Sequence, residues 1–345
     1  MVIQDIPKLR LLNQQLILSK LTTPKEVVQW MGAMQAQDYK ASICATCIRL
    51  ANVANDTNST YEEVEAAFND GEFVRTHVLR PTWHLVAAED IRWLLELTAP
   101  RIKAQTHARD IALGLNESDF EKSNAVFTQA LRGDFHLLRE ELAQVLEDAG
   151  IDSSGYRLAH LLMRAELDAV ICSGARRGMK QTYALLSERA PMTKQFNRET
   201  ALAMLAMRYF TSRGPATLKD FIWWSGLTTR DARQAIAMTE GKIISAEITS
   251  TDICAQTYYF HHRLQDIKNA TDWSKLDEIT REKIHHLPAF DEYLIAYTDR
   301  SAVIAPAHMS KAIASNGIFR PTILHNGIVT GTWKDTNKGM VESYF

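Results

Sequence analysis

The fold class this sequence predicts is mainly α with small β wings (α+β): tandem winged-helix units that finish in a C-terminal β-hairpin element. Three observations predict it. Helix-start signals and apolar residues at helical spacing dominate the chain. Short runs rich in β-branched and aromatic residues follow pairs of such helices, each run turning back on itself. Near the C-terminus Asn326-Gly327 separates two apolar runs, a strong hairpin signal.

Taken in order, residues 9–35 read as helical. Within them Thr23-Pro24-Lys25-Glu26 is a helix start, with Thr23 as cap, Pro24 at the first position and Glu26 closing a capping box. Val27, Val28, Met31 and Met34 follow at helical spacing, and the helix stops near Met34. This places Gln35 and Gln37 at the helix end or in the turn beyond it. Residues 61–69 form a short amphipathic helix ended by the Asp70-Gly71 turn. Residues 73–86, rich in Val, Thr, Trp and His, read as a β-hairpin with Pro81 at an edge or bend, and a strong helix follows through Arg101.

A second unit begins near Leu131: helices over 135–146 and 156–169, then a ribbon from Val170 that turns after Gly174 and returns over 181–185. A third repeats the order. The helix over 199–213 ends at Gly214-Pro215, Thr217 caps 218–225, Thr228 or Thr229 caps 230–238, and the wing runs over 243–248 and 257–260. Strands over 318–324 and 328–333 flank the Asn326-Gly327 turn. The expected units are 1–130, 131–198 and 199–345.

At 345 residues, 46% hydrophobic and 23% charged, the chain has material for two or three small cores. It holds no apolar run of 18 residues, so no membrane span is expected. The start, Met1 to Pro7, lacks the basic and apolar parts of a signal peptide. Cys44, Cys47, Cys172 and Cys254 are too sparse for a disulfide scaffold and suit a reducing cytoplasm. Cys44 and Cys47 have no second pair with which to hold zinc, and their spacing on an apolar helix reads as core packing. His261-His262 and His285-His286 lack metal-ligand spacing, and Trp223-Trp224 reads as core.

Net charge is −2, yet residues 172–219 carry nine Lys and Arg against two acids, a local +7. Such a stripe is either a phosphate-contacting face or a solvated basic helix pair.

Further identity comes from ordered blocks. They are Met34-Gln35-Ala36-Gln37-Asp38, the run 74–93 around Arg80-Pro81-Thr82-Trp83-His84, Cys172-Ser173-Gly174, Arg213-Gly214-Pro215-Ala216-Thr217, residues 287–293 and Ile318-Phe319-Arg320-Pro321-Thr322. Over nearly the whole chain these resemble the AlkZ-like winged-helix DNA glycosylases, relatives of the AlkX (YcaQ) branch. The resemblance implies a concave DNA-binding face and a Gln-apolar-Gln catalytic motif, here Gln35 and Gln37; the sister branch has Asp at the second position. Where many members carry Arg-Gly-Thr-x-His, this chain has Pro81, which offers no backbone N–H.

The implied reaction is hydrolysis of the N-glycosidic bond of cationic N7-alkylated purines in double-stranded DNA, including interstrand crosslinks. Glycoside hydrolysis ordinarily recruits two carboxylates. A purine alkylated at N7 already carries positive charge, so its departure needs little acid help. Two amides can then place water and hold a sugar or phosphate oxygen, provided the backbone at Gln37 is extended or turned so that residues two apart converge.

Asp38 and His84 are candidates for catalytic support. Arg75, Arg80 and Thr82 on the hairpin, Arg176, Arg177 and Lys180 on the second wing, and Arg320 are candidate DNA contacts. Plainer readings stand beside these: Gln35, Gln37 and Asp38 as polar turn residues, His84 as a packed hairpin histidine, and Asp291 and Glu292 tying helix ends or arginines. The expected working form is a cytoplasmic monomer, nucleoid-associated when bound to DNA, with no cofactor, metal or membrane. The alternative is a non-catalytic winged-helix DNA-binding or regulatory protein, whose binding would survive loss of both glutamines.

Overall fold

The computed structural model describes residues 5–51, 57–190, 195–250, 253–265 and 273–345. Lys194 of the basic segment and residues 1–4 of the N-terminal reading lie outside them. The chain sorts into two compact units, residues 1–62 with 202–345 and residues 63–201. These units do not follow the expected boundaries at 130 and 198, because residues 1–62 group with the C-terminal part of the chain.

In chain order the elements begin with α1 (Ile6–Asn13), α2 (Pro24–Met31), β1 (Met34–Gln35), α3 (Tyr39–Cys47) and α4 (Thr57–Asn69). There follow β2 (Phe73–His77), β3 (Trp83–Ala87), α5 (Ile91–Ala112), α6 (Glu117–Leu131), β4 (Leu137–Leu138), α7 (Arg139–Asp148) and α8 (Arg157–Leu167). Next come β5 (Ile171–Ser173), β6 (Thr182–Leu185), α9 (Leu186–Arg189), α10 (Arg198–Arg213), α11 (Leu218–Ser225), α12 (Thr229–Ala237), β7 (Ile243–Ser250) and β8 (Ile253–His261). The last are α13 (Trp273–Glu282), β9 (Ile284–Leu287), α14 (Glu292–Ile295), α15 (Met309–Ala312), β10 (Thr322–His325), β11 (Ile328–Thr336) and β12 (Gly339–Tyr344). The class is mainly α with small antiparallel sheets.

In the first unit, the stretch read as helical over 9–35 holds the end of one helix and, from the helix start at Thr23, a second. Leu16 and Ile17 are each 2% exposed, and drawing them into the core turns the chain between α1 and α2. Gln15 and Leu18 adopt positive φ to make that turn, although neither is glycine. Thr23 caps α2 and Glu26 completes the box, as read from sequence. Gly32 ends it at φ +72°, and a Cβ there would meet the Arg208 side chain at 3.1 Å.

Helices α10 and α11 bury Tyr209, Phe210, Phe221 and Trp224, whose rings pack at centroid distances of 5.0–5.2 Å. Strands β7 and β8 pair antiparallel, with Tyr258 and Phe260 buried on one face. Strands β9 to β12 form one sheet in the order β12-β11-β10-β9. Its β10–β11 turn places Asn326 at φ 51° and Gly327 at φ 76°, as a two-residue hairpin demands. Strands β9 and β12 were not anticipated: β12 is exposed along its length and carries no apolar alternation.

In the second unit, β2 and β3 pair from Phe73↔Ala87 to His77↔Trp83. Helix α5 runs past the expected end at Arg101, because Ile102 is buried and Pro100 is accommodated inside it. The helix expected over 135–146 starts only at Arg139, since Leu137 and Leu138 pair with Tyr183 and Thr182 instead. Strands β4, β6 and β5 make a small sheet over the core of Phe120, Phe127, Leu142, Leu146, Leu161 and Leu162. Among the described residues no helix is long and apolar enough to cross a membrane.

Candidate active site

Gln35 is the second residue of a two-residue strand, and Gln37 lies in the bend that follows. The backbone there is thus extended to turned, the condition under which residues two apart can act together. Gln35 is 7% exposed and Gln37 is exposed. Asp38 is the N-cap of α3, its Oδ1 accepting from the Ala41 amide at 3.0 Å. That role commits Oδ1, so Asp38 sets where the bend ends.

Behind this segment lies a buried ion pair that the sequence reading did not connect to it. Glu292 Oε1 accepts from the Gln35 backbone amide at 2.7 Å. Glu292 Oε2 accepts from Arg213 Nε at 2.9 Å, Arg213 Nη2 at 2.6 Å and Trp224 Nε1 at 3.2 Å. The two side chains are 0% and 2% exposed. Next to it, Asp291 takes both Arg49 Nη atoms at 2.8 Å and caps α14 through the Tyr293 amide. The expectation that Asp291 and Glu292 tie helix ends and arginines therefore holds. The only sequence signal for their partners was Arg213 opening the Arg-Gly-Pro block and two adjacent acids within an apolar one.

On the hairpin, Arg75 lays its guanidinium carbon 4.2 Å from the Trp83 ring centroid, and its amide donates to Ser173 Oγ at 2.8 Å. Arg80 and Thr82 are half-buried in the loop. That loop holds Leu79 at φ 64°, a conformation costly for a side chain with a Cβ, with the Leu79 amide donating to Thr98 Oγ1 at 3.2 Å.

His84, a candidate for catalytic support, is fully buried opposite Thr76. Its Nδ1 lies 2.9 Å from the Thr82 carbonyl, which can only accept, so Nδ1 carries the proton and braces the loop. Glu166, 1% exposed, accepts from the His77 amide at 3.0 Å, pairs with His77 Nδ1, and receives Trp83 Nε1 at 3.4 Å. His77, Thr98 and Glu166 are thus supporting residues of the hairpin that the sequence reading missed.

The basic segment is not an open stripe. Arg176, Arg177 and Lys180 do share the β5–β6 turn, closed by reciprocal Arg177 and Lys180 backbone bonds. Each is met by a carboxylate from elsewhere in sequence: Glu65, Glu141 and Glu140 respectively. The Lys180 ammonium and the Arg177 guanidinium hold the Glu140 and Glu141 carboxyls below the usual range. Arg189 donates to the Phe68 and Asn69 carbonyls, and Arg213 is wholly buried. Arg177 and Lys180 keep side-chain exposures of 51% and 64%.

Arg320 is exposed; its guanidinium donates to the Lys311 carbonyl at 3.0 Å and its backbone amide to the Ala312 carbonyl at 2.9 Å. The candidates divide between units: Gln35, Gln37, Asp38 and Arg320 in the first, the hairpin and wing residues in the second.

Trp224 is buried as expected, whereas Trp223 is 43% exposed and donates to the Ile295 carbonyl at 2.9 Å. Cys47 is buried, Cys44 half-buried, and burial pushes the Cys172 thiol up to about 12. Among the described residues no group of three or more His, Cys, Asp or Glu is placed to hold a metal ion.

Comparison with known proteins bears on this arrangement. A family model described as DNA glycosylase AlkZ-like matches residues 28–343. An interstrand DNA cross-link repair glycosylase of Streptomyces sahachiroi is 24% identical over 342 residues, 96% of this chain and 88% of that protein. The solved structure of Streptomyces sahachiroi DNA glycosylase AlkZ superposes with a TM-score of 0.80 at 20% identity, covering 100% of this chain and 91% of that one. That likeness shows a shared fold.

Proposed function

The chain belongs to the AlkZ-like DNA glycosylase family, and on that premise we propose that it hydrolyses the N-glycosidic bond of cationic N7-alkylated purines in duplex DNA, interstrand crosslinks included, with Gln35 and Gln37 as the catalytic pair. The observation that carries this reading is the backbone at the pair. A glycine-stopped helix, a two-residue strand and a bend closed by the Asp38 cap give the extended geometry two cooperating glutamines need. Exposed Gln37 is suited to accept a hydrogen bond from the attacking water, and buried Gln35 to fix that water or a sugar oxygen.

In this reaction the water oxygen bonds to C1′ of the deoxyribose while the C1′–N9 bond breaks. The bonding pair passes to N9 and quenches the positive charge of the purine ring, and the water's surplus proton leaves to solvent. An amide cannot remove that proton, so the gain comes from placement. A substrate whose base already carries the charge is the one such a site can serve.

The helix–helix–ribbon runs act as winged-helix units in this reading. Arg75, Arg80 and Thr82 on the hairpin, Arg177 and Lys180 with Arg176 on the wing, and Arg320 meet the DNA backbone, while His84 braces the hairpin loop. The enzyme works as a monomer without metal or cofactor, in the cytoplasm on nucleoid DNA.

Release of N7-methylguanine from a duplex by wild type, Gln35→Ala and Gln37→Ala tests this. A loss of at least about tenfold in each variant, roughly 1.4 kcal/mol of barrier, is expected. Absence of release by wild type from both this duplex and a crosslinked one, with salt-sensitive binding intact, would instead establish a non-catalytic DNA binder.

A further inference from the structure

We propose that Glu292, oriented by Arg213, is the positioning residue for Gln35, an inference that rests on Gln35 being catalytic. The Glu292 carboxylate divides its two oxygens between separate tasks. Oε1 accepts from the Gln35 backbone amide at 2.7 Å. Oε2 takes two donors of Arg213 and the indole of Trp224.

Arg213 then spends its other hydrogens on the same stretch of chain. Nη1 donates to the Met31 carbonyl at 2.6 Å and to Ser212 Oγ at 2.8 Å, and Nη2 donates to the Ala33 carbonyl at 2.6 Å. All five N–H groups of the guanidinium are thereby used. The backbone is gripped at residues 31, 33 and 35, every second residue from the end of α2 to the catalytic strand. Trp224 lies flat enough on this assembly to put the Arg213 guanidinium carbon 4.6 Å from its ring centroid.

Two features separate positioning from general cohesion. A buried ion pair contributes little net stability compared with apolar residues of the same volume, because both charges lose their hydration. What it supplies is direction: a carboxylate with each oxygen committed and a planar cation with every hydrogen committed allow one arrangement. The chemistry of two amides depends on such placement. Neither glutamine is an acid or base of useful strength, and displacement of about 1 Å in a placed group costs on the order of a hundredfold in rate.

Glu292→Gln tests this in the full-length protein. Glutamine keeps the shape but presents one oxygen where two are needed, so either the Gln35 amide or the Arg213 donors lose an acceptor. The expected result is a single-turnover rate of N7-methylguanine release about 10–100-fold below wild type, with duplex affinity within about threefold. Combined with Gln35→Ala, which keeps the backbone N–H but removes the side chain it aims, Glu292→Gln should add no further loss. Trp224→Phe, which deletes the indole donor to Oε2 and trims the ring that packs on Arg213 and Tyr209, should give a loss of a few-fold that likewise vanishes in the Gln35→Ala background.

A folded Glu292→Gln protein with wild-type rate overturns the inference, as do losses that multiply in the double variant. Wild-type rate in Gln35→Ala alone instead removes the catalytic reading of Gln35, a different failure. Should Glu292→Gln not fold, the cycle with Trp224→Phe decides: vanishing of its loss supports the inference, and multiplication overturns it.

Discussion

Replacing Asp291 by alanine isolates the second buried ion pair, and its cost can be worked from the contacts. The change deletes two hydrogen bonds of 2.8 Å to Arg49, whose side chain is 0% exposed. Arg49 keeps only Ala45 O at 2.7 Å and Gln14 Oε1 at 3.0 Å, with the charge uncompensated. Breaking such a pair from one side costs about 3–5 kcal/mol. Loss of the α14 cap adds about 1 kcal/mol, for roughly 4–6 kcal/mol in all. Asp291→Asn keeps the cap but also leaves the guanidinium charge uncompensated, so it should cost about 3–5 kcal/mol, only the cap term being spared. Arg49→Met in the Asp291→Ala background removes the stranded charge and should recover more than half of the loss. Urea unfolding at pH 7 followed by tryptophan fluorescence measures all three. A cost below about 1 kcal/mol for Asp291→Ala, or additive losses in the double variant, would refute the argument that an unpaired buried guanidinium dominates.

Three further outcomes are expected. Asp38→Asn, which retains an N-cap acceptor, should release base within a few-fold of wild type, while Asp38→Ala costs about 1 kcal/mol of stability; a hundredfold rate loss in Asp38→Asn would make Asp38 a base after all. Removing Glu140 and Glu141 as glutamines unmasks Lys180 and Arg177, so duplex binding should tighten and its log–log salt slope steepen by up to about 1.8; unchanged binding measured by salt titration would take the wing off the DNA. Burial, reinforced by the neighbouring Lys283 and Arg49 charges, lowers His285 to about 4. The unfolded chain therefore binds the proton first, and stability falls as pH drops from about 6.5 to about 4, by about 3 kcal/mol in full. His285→Gln should flatten that part of a stability–pH curve, and an unaltered slope would show that other groups set it.

What could be read from the sequence was local. The Thr23 cap, the hairpin over 73–86 and the Asn326-Gly327 turn depend on neighbours within a few residues, and each carries its own steric or hydrogen-bonding signature. The reversal between α1 and α2 was hidden, because Gln15 and Leu18 take positive φ without a glycine to announce it. Strand β4 was hidden too: Leu137 and Leu138 fit a helix, and only pairing with β6 makes them extended. Linear counting gave residues 172–219 two opposing acids, whereas folding brings Glu65, Glu140 and Glu141 to the same cations. The candidate glutamines were legible through a motif; the carboxylate that holds one of them was not, since nothing local links residue 35 to residue 292.

That separation has a consequence during synthesis. The unit of residues 63–201 is continuous and can fold as soon as it leaves the ribosome, whereas the unit carrying Gln35 is completed only by residues 202–345. Gln35 and its carboxylate are 257 residues apart. At 5–20 residues per second, that is a wait of about 13–50 s between making the strand that carries Gln35 and making the carboxylate that pairs with it. A chain interrupted before Glu292 would contain every residue of the Gln-Ala-Gln motif and lack the carboxylate that accepts from the Gln35 backbone amide.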